Sequence, residues 1–118
     1  MKKKLMLSLL SLGIVSVAAF AYSFDTNLPL PGKSIANTEV QGDTMFAAYS
    51  FALRVAAPDC KTLSIANTEV TKPKANGMWE EIWTVKACSR TARIPIAFTE
   101  ADGTTNYAID FMNVKVAK

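Results

Sequence analysis

The 118-residue chain contains no histidine and only two cysteines. Histidine is the side chain that titrates nearest neutral pH and the commonest metal ligand, so its absence removes most acid–base and metal chemistry at once. A nucleophile relayed through imidazole is excluded, and a zinc site would have too few ligands. No CxxC redox pair occurs. The segment Glu100-Ala101-Asp102-Gly103 falls short of the closely spaced Asp and Asn ligands of a calcium loop. No metal and no cofactor is expected.

The chain also lacks an excess of one charge once its first residues are set apart. Its 13 basic residues outnumber 10 acidic ones, but three of the lysines are Lys2, Lys3 and Lys4. Ten charges of each sign remain beyond them. Nucleic-acid binding needs a basic surface that releases counterions, and no dense Lys/Arg cluster survives, so nucleic acid is not an expected partner.

Those three lysines precede an almost unbroken apolar run, Leu5 to Val17, and a small-x-small pattern at Ala19-Phe20-Ala21. Together they read as a secretory signal peptide over residues 1–21, cut after Ala21. An uncleaved anchor is the competing reading, but the apolar run is short of the roughly 20 residues that span a bilayer. No membrane association is expected after cleavage. The expected location is the periplasm or the outside of the cell. In that oxidising setting Cys60 and Cys88 read most simply as a disulfide.

The rest suits one small domain. Residues 22–42 contain Pro29, Pro31 and Gly32 without periodicity and read as an extended N-terminal arm. Gly42-Asp43 marks a break, with Asp43 or Thr44 able to cap a helix. Thr44 to Ala57 fits a helix that aligns Met45, Tyr49, Ala52 and Ala56, with Phe46 and Leu53 beside them. It also fits a strand that turns Ala47, Tyr49, Phe51, Leu53 and Val55 inward. Alanine content and length favour the helix. Four β-like runs follow, Thr62–Thr71, Met78–Cys88, Ala92–Thr99 and Thr104–Phe111, with a possible extension through Val114 and Val116. The expected fold is α+β over residues 43–118: one helix on a four-stranded antiparallel meander sheet, stapled by one disulfide.

Pro58-Asp59-Cys60, Ile65 to Val70, Met78 to Cys88 and Ile94 to Thr99 resemble a group of small exported bacterial proteins of unknown function. The likeness centres on a W-x-E-x-W-x-V-x-x-C-like strand, here Trp79, Glu81, Trp83, Val85 and Cys88. It covers about the second half of the chain and departs at Ser89, where the pattern has glycine. The resemblance implies this fold and brings no catalytic residue.

Ser34-Ile35-Ala36-Asn37-Thr38-Glu39-Val40 recurs letter for letter as Ser64 to Val70. Two copies do not make a solenoid. If the second copy is a strand, the first copy would be able to take the same form and pair with another molecule. The repeat therefore reads either as a local duplication without function or as a route to self-association through residues 34–40; the other expected partner is an envelope or secreted protein.

Trp79, Glu81 and Trp83 share one face of a strand, since side chains alternate. They read either as an aromatic platform with a carboxylate or as core packing. Arg90 and Arg93 flank a turn and would suit a partner's carboxylate. Glu80 and Glu81 point to opposite faces and cannot act as a pair, and nothing in the spacing sets two carboxylates across a cleft. The expected function is that of a non-catalytic exported binding or interaction domain. The alternatives are a self-associating structural protein of the cell envelope and, less favoured, a hydrolase.

Overall fold

The computed structural model describes residues 22–118; the expected leader, residues 1–21, lies outside the described residues. In chain order the elements are β1 (Ser23–Phe24), α1 (Thr38–Val55), β2 (Thr62–Ala75), β3 (Met78–Ala87), β4 (Arg90–Ala101), β5 (Thr104–Ile109), a 3-10 turn (Phe111–Asn113) and β6 (Lys115–Ala117). The helix packs on one face of a curled, mixed sheet ordered β1-β2-β3-β4-β5, with β6 paired to β4. The α+β class and the Cys60–Cys88 disulfide stand, with Cα atoms 5.7 Å apart. The four-stranded antiparallel meander does not. The arm adds β1 in parallel to Thr62–Leu63, and the C-terminal residues add β6 opposite Thr91–Arg93.

Pro95 accounts for the way β5 and β6 share one side of β4. A proline inside a sheet removes a ladder donor. The Pro95 carbonyl accepts from the Asp110 amide at 2.9 Å. Its missing N–H therefore faces the same side, where β5 ends at Ile109 opposite Ile96 and β6 resumes at Lys115 opposite Arg93. The chain leaves the ladder where no donor exists, and Phe111 and Met112 are displaced into solvent.

The helix begins at Thr38, not at Thr44. Asn37 caps it, extended at φ −72° and ψ 169°, and its side chain accepts from the Val40 amide at 2.9 Å. Glu39 in the first turn faces the positive end of the helix dipole. Gly42-Asp43, expected to be a break, is helix interior. Met45, Tyr49, Ala52 and Ala56 are buried as the stripe predicts, while Phe46 is half exposed.

An irregularity between Ile65 and Asn67 resets the alternation of β2. Leu63 and Ile65 face inward before it, and Thr68 stands opposite Trp83 after it. The two copies of the heptapeptide thus take different structures. The second lies in β2; the first forms a loop, a cap and the first helical turn. Ile65 is buried and Ile35 exposed. The expectation that residues 34–40 copy the strand conformation is not met, because Asn37 has a helix to cap and Asn67 has a strand to continue.

Tyr49 ties β1 to the helix. Its ring stacks on Phe24 at 5.1 Å and its hydroxyl donates to the Asp25 carbonyl at 2.5 Å. Burial, aided by the Asp25 charge and opposed by a main-chain hydrogen bond from Ile65, pushes the phenol up to about 12. The unfolded chain releases this proton near pH 10, the folded chain only near 12. The stability contribution is complete below pH 10 and is lost as pH rises through 12, a fall of about 2–3 kcal/mol. Urea unfolding between pH 9 and 12 is expected to show this fall and to lose it in Tyr49→Phe.

Candidate functional site

Trp79, Glu81 and Trp83 project from one face of β3, and that face is the one beneath the helix. All three are buried, Glu81 and Trp83 completely. The carboxylate has no water to replace, because three N–H groups already surround it. Glu81 Oε2 accepts from Trp79 Nε1 at 2.8 Å and from the Ile35 amide at 3.0 Å. Oε1 accepts from Trp83 Nε1 at 2.8 Å. A buried charge is tolerated only when its oxygens are satisfied in this way. Phe98 closes the cluster, stacked on Trp79 at 5.1 Å. Of the two readings, platform and core packing, the burial supports packing, in a motif that also seats the arm.

Two other buried polar side chains do the same for neighbouring arm residues. Gln41 Oε1 accepts from the Leu30 amide at 2.8 Å, and Nε2 donates to the Ala36 carbonyl at 2.9 Å. Thr68 Oγ1 accepts from the Ser34 amide at 3.0 Å and donates to the Pro31 carbonyl at 2.8 Å. Gly32 lies so close to Thr68 that an added Cβ would sit 2.2 Å from its carbonyl oxygen. Only glycine fits at φ +105° there.

Arg90 and Arg93 do not join this cluster. Arg93 lies on the outer face of the sheet and pairs with Glu69 at 2.9 Å. Arg90 borders a hollow beside the disulfide with Asp59, Cys60 and Cys88. The five expected site residues thus fall into three separate places.

Among the described residues, the sheet edge left unengaged is that of β5. Its opposite number, β2, is protected: β1 covers Thr62–Leu63, and the Lys33 amide bonds the Thr68 carbonyl at 2.9 Å. Lys72, Pro73 and Lys74 stand beyond, residues that discourage strand pairing. β5 reads Thr104-Thr105-Asn106-Tyr107-Ala108-Ile109, with neither charge nor proline. The Glu100 amide points to Gly77 at 2.7 Å, on the β3 side. The β4–β5 register then turns the main-chain groups of Thr105, Tyr107 and Ile109 outward, away from β4. Those groups are a template for another strand.

The helix lies beside this edge, and its two ends present different chemistry. At one end a hollow of about 260 Å³ lies between Asn37, Glu39, Val40 and Asp43 of the helix start and Glu100, Thr104 and Thr105 of the hairpin. At the other end Phe51 of the helix meets Phe111 at 6.5 Å, with the exposed Met112 adjoining. Glu39 and Asp43 enter no salt bridge among the described residues, while Glu100 is held by Lys74. The flank of β5 is thus acidic beside Thr105 and apolar beside Phe111. Uncharged, β-branched sequence at the last hairpin was the available signal, because an edge strand facing water is usually guarded.

No protein-family model, no curated protein and no solved structure matches the chain.

Replacing Glu81 by Gln presents an NH2 group to three donors, so at least one N–H loses its acceptor. Glu81→Gln is expected to lower stability by about 2–3 kcal/mol. The measurement is the urea midpoint at constant slope, with tryptophan emission as the probe.

Proposed function

We propose that this chain is a small exported, non-catalytic binding domain that captures an extended segment of a partner as an added strand on β5. The observation that carries the reading is the inequality of the two sheet edges: one is covered and charged, the other bare and uncharged. Strand addition supplies affinity through main-chain hydrogen bonds and specificity through alternate side chains. The helix flank beside β5 gives those side chains a wall.

Export draws support from two features. The leader has a basic start, an apolar run and a small-x-small site that ends at Ala21, and the two cysteines are joined. No helix among the described residues is long and apolar enough to cross a membrane. The non-catalytic reading draws on the buried carboxylate, both of whose oxygens are committed to N–H donors. Self-association through Ser34–Val40 is the weaker reading, since Ser34, Ile35 and Ala36 already hold main-chain partners inside the fold.

Two experiments test the proposal. Mass spectrometry of the protein recovered from the producing cell is expected to show a form that starts at Tyr22 and carries a disulfide. A cytoplasmic form with an intact N-terminus and free thiols would overturn export. For the site, Tyr107→Pro deletes an outward amide while leaving the bonds to β4 in place. Peptides selected on the folded domain are expected to bind this variant at least about tenfold less tightly, with an unchanged melting temperature. Equal binding would show that β5 is not the docking edge.

A further inference from the structure

The flank of β5 has a direction, and the chemistry of its ends specifies the segment that fits. We infer that the segment docks antiparallel to β5, carrying an apolar or aromatic residue first and a basic residue four places later. The inference rests on the strand-capture reading and goes further by naming order and charge.

Thr105, Tyr107 and Ile109 lie on the inner face of the sheet, opposite Glu100, Phe98 and Ile96. An added antiparallel strand in register would set its own inward side chains beside these three. The residue facing Ile109 meets Phe51 and Phe111, which are 6.5 Å apart and only partly covered. Apolar surface would be removed from water there. The residue facing Thr105 meets the hollow bounded by Glu39 and Asp43. Neither carboxylate has a cationic partner among the described residues, so a guanidinium or ammonium completes the site. Thr105 and Ile109 are four residues apart, which sets the spacing. Antiparallel pairing is the more stable arrangement per residue and places the basic group after the apolar one.

Three end-blocked peptides of extended, uncharged background separate the possibilities. The first carries Phe and, four places later, Arg; the second has these two exchanged; the third has Glu in place of Arg. Binding is followed by calorimetry, and amide exchange is read at Thr105, Tyr107 and Ile109. The first peptide is expected to bind at least about tenfold tighter than the other two and to slow exchange at all three amides. The double substitution Glu39→Lys with Asp43→Lys is expected to reverse the preference between the Arg and Glu peptides. Both positions are exposed, and a thermal melt reports whether the fold is kept. Tighter binding of the exchanged peptide, or equal binding of all three, overturns the inference while strand capture stands. If no peptide binds and the three exchange rates stay unchanged, strand capture itself falls. A concentration-dependent dimer abolished by Tyr107→Pro would make a second copy the occupant and likewise overturn the inference.

Discussion

A carboxylate sealed from water between two indoles is the constraint on which the rest of the structure depends. Taking an ion of this kind out of water costs several kcal/mol unless its oxygens are met by donors. Glu81 is met by Trp79 and Trp83 from its own strand and by the Ile35 amide from the arm. The two tryptophans are available whenever β3 forms, but the third donor arrives only when residues 30–36 lie across the sheet. Gln41 and Thr68 reinforce the same placement from the helix and from β2. A stretch with no regular structure is thereby as much a part of the core as the strands.

This dependence explains where the sequence was readable and where it was not. Strands β2 to β5 followed from β-branched and aromatic runs between turn residues; Asn76-Gly77 and Asp102-Gly103 take the positive φ values that tight hairpins require. The disulfide followed from compartment and count. The start of the helix did not, because its cap lies in a heptapeptide that also occurs as a strand. Identical local preferences were decided by what each copy touches: Asn37 closes a helix end, whereas Ile65 is drawn into the core. Local propensity is a weak guide when tertiary contacts differ this much.

The aromatic–acidic triplet was legible as a single face of one strand, but not as an interior face. Burial depends on which side the helix covers, and alternation alone cannot assign that. The outer strands were obscured for another reason, β1 within the arm and β6 as a mere extension of the fourth run. β1 is two residues long, and β6 exists because Pro95 leaves a gap that the chain steps around. Neither leaves a periodic signal. The composition of β5, by contrast, was visible throughout as a run without charge. Its meaning emerged only once it was known to lie at the rim, with no strand beyond it among the described residues.

The helix is fastened at both ends by unlike means. Near its C-terminus the chain is joined through Cys60 to Cys88 at the β3–β4 turn, and near its N-terminus Gln41 grips the arm. Between these fastenings the helix runs past β5. If β5 takes up a strand as proposed, the wall beside it is preset by the fold and need not be created by the guest. Preorganisation of this kind spares a complex the entropy of ordering its host. Under the strand-capture proposal, loosening either fastening would be felt first as faster escape of the segment, well before the domain itself came apart.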